Sequence, residues 1–109
     1  MKKIILGFID IETTGHDTVM PVDVGGSTYL ELWHEIIDFG CVFASLPGFK
    51  VVSEYSTKVT PLHPERCLPD LINHYPARAA KGEWKSAVSL EDALADFFAH
   101  AKKSAVINW

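Results

Sequence analysis

A chain of 109 residues, 48% apolar and 22% charged, has the composition of one small globular domain, which excludes a disordered protein. Its formal charge of −4 at pH 7 argues against binding nucleic acid by net attraction alone, although bound cations can reverse the field locally. Cys41 and Cys67 fit no paired zinc spacing and read as reduced thiols, and no apolar run is long enough to span a bilayer, so a cytoplasmic location is expected. Met1-Lys2-Lys3 and the apolar residues after it imitate a signal peptide, but Asp10 and Glu12 cut that run short.

The first predicted strand covers residues 3–11. Its apolar residues fall on both faces, as in a central strand covered on both sides. Asp10 and Glu12 close it, and because side chains alternate along a strand they point the same way. Their Cα atoms would lie roughly 6.5 Å apart, within reach of two divalent ions spaced about 3.5–4 Å. Residues 15–33 carry Pro21, Gly25-Gly26 and no sustained periodicity, so a long loop beside the carboxylates is expected.

Residues 34–45 read as a second strand, with Ile37, Phe39, Cys41 and Phe43 on one apolar face. Leu46-Pro47-Gly48 turns the chain into a third strand over 49–60, where Val51, Tyr55, Thr57 and Val59 share a face. Four prolines between 61 and 76 predict an irregular connection with at most a helical turn around 69–74. Ser89, followed by Glu91 and Asp92, marks a helix start. Leu90, Ala93, Leu94, Phe97, Phe98 and Ala101 recur at helical spacing as its apolar face. Residues 105–109 look like the start of another buried strand. The order β-β-β-α-β predicts an α/β mixed sheet, with the last strand parallel to the first through a right-handed crossover. Asp10 and Glu12 would then stand near the carboxyl end of a central strand, a common place for chemistry in open α/β sheets.

The run Phe8-Ile9-Asp10-Ile11-Glu12-Thr13-Thr14-Gly15 resembles the first motif of the DEDD superfamily of 3′–5′ exonucleases, in the branch that trims RNA or proofreads. Glu35-Ile36-Ile37-Asp38-Phe39-Gly40-Cys41-Val42 resembles the second strand of that family, and Tyr55-Ser56-Thr57-Lys58-Val59-Thr60-Pro61 its third strand and exit. The resemblance implies a ribonuclease H-like fold and two Mg2+ or Mn2+ ions held by four acidic residues. It also implies a general base and, as substrate, the 3′ ends of single-stranded RNA or DNA. Asp10 would bridge both ions, Glu12 would bind the ion that carries the attacking water, and Thr13 and Thr14 would abut the terminal nucleotide. The next acid and the base of the family are not matched by residues up to Trp109. The expectation is therefore a partial exonuclease domain over 1–109 whose carboxyl-terminal half is missing, an incomplete site, and weak activity or none.

Other residues weigh as substitutes. His16 is nearest the carboxylates and is a candidate base, although a solvated loop histidine explains it as well. His34, His63, His74 and His100 have no partner at metal-ligand spacing. Glu35 and Asp38 qualify only if they face the site. Trp33, Trp84 and Trp109 are aromatic platforms or core residues. The alternative to an exonuclease is a non-catalytic module of the same fold that binds a nucleotide or a partner. A sheet lacking its covering helices would leave an unpaired edge, so homo-oligomers formed through that edge are also expected.

Overall fold

The computed structural model describes residues 4–16, 19–69, 71 and 73–107, with nothing described for the side chains of Leu32 and 105–107. Five strands come first: β1 (Ile4–Thr13), β2 (Val19–Val24), β3 (Ser27–Leu32), β4 (Ile36–Leu46) and β5 (Lys50–Lys58). A 3-10 turn at Pro64–Arg66 precedes two helices, α1 (Tyr75–Ala80) and α2 (Leu90–Ile107). The α/β class therefore holds, with two antiparallel sheets ordered β1-β4-β5 and β2-β3.

Strand β4 is the centre of the larger sheet because it combines strict alternation with β-branched and aromatic residues. Ile37, Phe39, Cys41 and Phe43 are all buried, as their spacing predicts. Gly7, Ile9 and Ile11 of β1 lie opposite Phe43, Cys41 and Phe39, so the odd-numbered residues of β1 share the face on which α2 packs. The Phe97 ring meets Phe39 edge-on at 5.2 Å and stacks on Phe43 at 5.9 Å, while Ala93 brings the helix close enough to be wholly buried.

Helix α2 begins as expected: Ser89 Oγ accepts from the Asp92 amide at 3.1 Å. Its buried stripe is narrower than the sequence suggests, since Ala93, Phe97 and Ala101 pack on the core while Leu94 and Phe98 are exposed.

Three expectations need correction. Strand β1 is not central. Among the described residues it pairs only with β4, and Ile4, Phe8, Ile9 and Ile11 remain exposed. Apolar residues on both faces report the strand's hydrophobicity, not its neighbours. Residues 19–32 form a hairpin rather than a loop, turned by Gly25 and Gly26, both at positive φ (58° and 81°). None of its described side chains is buried in the core, with Leu30 at 77% exposure, so the hydrophobic pattern gave no signal; the Gly-Gly pair did.

The predicted strand over 105–109 is helix through Ile107, with 108–109 outside the described residues. Among the described residues the β-β-β-α-β order and its parallel crossover are therefore not observed. The parallel contact that does occur is an isolated bridge between Val59 and Val88. The proline-rich connection carries the 3-10 turn at Pro64–Arg66 and leads into α1, which starts after His74 in the left-handed region (φ 54°); of the positions expected to form at most a helical turn, 70 and 72 lie outside the described residues.

A smaller shift occurs in β5. A bulge lets Ser53 pair with Phe43 and Val51 with Ala44. Val52 consequently packs on the core in place of Val51, because an extra residue reverses the alternation.

Candidate metal and phosphate site

The even-numbered residues of β1 lie on the face away from α2. Phe8, Asp10 and Glu12 stand opposite Val42, Gly40 and Asp38, which in turn pair with Glu54, Ser56 and Lys58. Gly40 has no side chain there, and this leaves a shallow depression of about 440 Å3 lined by Phe8, Asp10, Gly40, Val42, Glu54 and Ser56. A second hollow of about 290 Å3 adjoins it at Ser56 and is bordered by Asp38, Lys58, Glu83 and Ser86. Of the two carboxylates singled out from sequence, Asp10 lines the first hollow, and Glu12 lies on the same face of β1 but borders neither hollow.

Local structure holds them differently. Asp10 is exposed, and among the described residues no group hydrogen-bonds its carboxylate. Glu12 is half-buried where β1 ends, beside the segment that leads into α1. There Asn73 Nδ2 donates to the Thr13 carbonyl at 3.0 Å, and Asn73 Oδ1 accepts from the Tyr75 amide at 3.1 Å. One amide side chain therefore ties the strand end to the start of α1. Arg78 of α1 then points back to the strand, with Nη1 donating to the Asn73 carbonyl at 3.1 Å and Nε to Glu83 Oε2 at 3.0 Å.

Arg78 Nη1 also stands 3.6 Å from Glu12 Oε2, within ion-pair range but beyond a hydrogen bond. That oxygen is buried and has no hydrogen-bond donor. Across the sheet Lys58 pairs with Asp38, the cross-strand neighbour of Glu12. Three carboxylates (Glu12, Asp38, Glu83) therefore meet two cations (Lys58, Arg78), and the one left with the longest contact is Glu12. The bond to Glu83 raises the Arg78 pKa first, and the charges of Glu83, Glu12 and Asp38 add to it. Trp84 floors the cluster, its Nε1 donating to the Ile37 carbonyl at 2.8 Å, with Lys58 and Arg78 at 5.1 and 5.2 Å from the ring centre.

This donor chemistry suits a hard divalent cation. Asp10 offers an unbonded carboxylate, and Glu12 offers an oxygen that is desolvated without a proton donor, an arrangement that costs energy unless a positive charge compensates it. Among the described residues no group of three or more His, Cys, Asp or Glu side chains gathers at metal-binding distance. Asp10 and Glu12 could thus supply part of a coordination shell.

The neighbouring residues of the motif are tied into the strand end. Thr14 is fully buried: its Oγ1 accepts from the Glu35 amide at 3.0 Å and lies 3.3 Å from His34 Nδ1. Its backbone bonds Glu35 and Leu68. Thr13 is half-buried, and its hydroxyl donates to the Gly15 carbonyl at 2.6 Å. Gly15 is needed because the buried His34 ring lies on it; a Cβ there would overlap three ring atoms. The Thr-Thr-Gly sequence is therefore the joint between β1 and the residues before β4.

The candidate substitutes separate cleanly. Asp38 faces Glu12 but is engaged by Lys58. Glu35 does not join them, since its two carboxylate oxygens accept from the Leu62 and His63 amides, each at 2.7 Å. His16 is exposed at the strand exit. Trp33 lies under Arg66 at 3.9 Å, and Trp109 lies outside the described residues. Sequence reasoning missed Arg78, Asn73 and Trp84 as members of the cluster, because only the fold of 61–88 brings them to β1. No helix among the described residues is long and apolar enough to cross a membrane. No protein-family model matches the chain, and no curated protein or solved structure is significantly similar to it.

Proposed function

We propose that this chain carries part of the site of a two-metal 3′–5′ exonuclease acting on single-stranded RNA or DNA ends, with Asp10 and Glu12 as ligands for Mg2+ or Mn2+. The observation that supports this most is the pair itself. Two carboxylates sit two residues apart on the open face of β1, one unbonded and one with a buried oxygen lacking a donor. When bound, two such cations lower the pKa of a water and stabilise charge on the leaving oxygen.

The chain's own residues have narrower tasks in this reading. Asp10 and Glu12 hold the cations, and Asn73 and Gly15 fix the strand end that carries Glu12. Thr13 borders the terminal nucleotide, and Thr14, buried as it is, sets the backbone there. The antiparallel β1-β4-β5 sheet with α2 on one face is compatible with the first part of a ribonuclease H-like fold. Remaining acids and a general base would come from outside the described residues, so the isolated chain is expected to hydrolyse weakly or not at all.

Calorimetric titration of the chain with Mn2+ tests this, run with and without a nucleoside 5′-monophosphate. Metal-strengthened nucleotide binding that vanishes in Asp10→Asn is expected. No heat from metal or nucleotide in the native chain would sink the proposal. A second reading, a non-hydrolytic nucleotide-binding module, is favoured by the Arg78 contact that already partly compensates Glu12. Rapid degradation of a 5′-labelled single strand by the pure chain would exclude it.

A further inference from the structure

Arg78 has no place in the motif, yet it is anchored beside Glu12. Glu83 holds its Nε at 3.0 Å and the Asn73 carbonyl holds its Nη1 at 3.1 Å, so the guanidinium keeps its place independently of Glu12. Trp84 lies beneath it at 5.2 Å. Among the described residues nothing accepts a hydrogen bond from its Nη2. One edge of a planar, permanently charged fork is thus left with spare donors beside Glu12, a geometry that matches phosphate oxygens.

The contact with Glu12 at 3.6 Å is the weakest of the three that Arg78 makes. A cation bound by Glu12 would take over that carboxylate's compensation. Arg78 would lose its partner there but not its anchors, and its positive charge would become available to an anion on the same face. Resting on the two-metal reading above, we infer that Arg78 is the phosphate-positioning residue of this site: it balances Glu12 when no cation is bound, and it binds a nucleotide 5′-phosphate once the cation arrives.

This role gives opposite effects on two ligands. In Arg78→Gln, removal of the competing charge should tighten Mn2+ binding by about two- to fivefold, the scale of a partly exposed ion pair. The same substitution should weaken binding of adenosine 5′-monophosphate, at saturating Mn2+, by about tenfold or more, as expected for a lost charged hydrogen bond. Arg78→Lys should keep the effect of the charge on Mn2+ and recover only part of the nucleotide affinity, because an ammonium lacks the fork. Calorimetry on the 109-residue chain reads both constants, and circular dichroism verifies that each variant is folded. Should Arg78→Gln misfold, Arg78→Lys carries the test through its partial loss of nucleotide affinity.

Equal nucleotide affinity in the native chain and both variants would overturn the role of Arg78 while leaving the metal reading intact. Weaker Mn2+ binding in Arg78→Gln would also overturn it, since Arg78 would then be supporting the ligand rather than competing with the cation. A native chain that binds neither Mn2+ nor the nucleotide would remove the two-metal reading and this inference with it.

Discussion

Strands β1 and β4 run side by side with similar apolar content, yet β4 is buried along its helix-side face while β1 keeps Ile9 and Ile11 about half exposed. Helix α2 makes the difference, since it packs Phe97 against Phe39 and Phe43 of β4, whereas among the described residues of β1 only Ile5 packs on that core cluster. The lesson is that burial in this sheet follows the helix: the strand beneath Phe97 carries the core, and the strand beside it does not.

Truncations measure this contrast most strongly. Phe39→Ala removes a ring from the centre of the cluster and should cost about 3–5 kcal/mol. Ile9→Ala, on the neighbouring strand and 55% exposed, should cost about 1 kcal/mol or less. Urea unfolding of the two variants checks the ratio. Equal losses would mean that β1 is as deeply packed as β4, contrary to its exposure.

The joint between the two strands comes next. Thr14→Val keeps the shape but leaves the Glu35 amide without its acceptor and removes the contact to His34, a buried loss of about 1–3 kcal/mol. Thr14→Ser retains the hydroxyl and should restore most of it. If the valine variant were as stable as the native chain, Thr14 would not be the pin that joins β1 to β4.

Both strands of the comparison were visible in the sequence, but their ranks were not. Alternation at Ile37, Phe39, Cys41 and Phe43 identified the core face of β4 because burial on one side leaves a period of two. In β1 the apolar residues on both faces gave no such direction, and its place at an edge depends on which strands lie beside it. The candidate site was half legible for a related reason. Asp10 and Glu12 are neighbours by local geometry, whereas Arg78 reaches Glu12 through a chain of contacts that no spacing encodes: Asn73 to Thr13, the left-handed His74, and Arg78 to the Asn73 carbonyl. The bulge that substitutes Val52 for Val51 is likewise a property of pairing.

Alkaline titration separates the strands by a smaller effect. Burial raises the Cys41 thiol of β4 above its ordinary value, and raises Cys67, Tyr55 and Tyr75 as well. In the unfolded chain these groups lose their protons first, so above about pH 8.5 the unfolded state binds fewer protons and stability falls as pH rises. Below that pH both states are protonated at these groups and they contribute no slope. Melting temperatures from pH 7 to 10 should decline, and less steeply in Cys41→Ala than in the native chain. An unchanged slope in that variant would show that the thiol of β4 is not the group responsible.

The smallest effect on stability should come from Asp10→Asn, and its smallness is what makes it informative. Asp10 is exposed and among the described residues bonds to nothing, so the substitution should shift the unfolding free energy by no more than about 0.5 kcal/mol. Asn keeps the size and one oxygen of the side chain but removes the charge, so Mn2+ should lose its stabilising effect on the thermal transition. In Glu12→Gln the outcome differs in sign, because neutralising a partly buried carboxylate with a donor-less oxygen removes a desolvated charge, but also removes the partner of Arg78. If metal-induced stabilisation survives in Asp10→Asn, the open face of β1 is only a solvated strand end. If it is lost while the fold is unmoved, Asp10 on the open face of β1 holds the metal and takes no part in holding the fold.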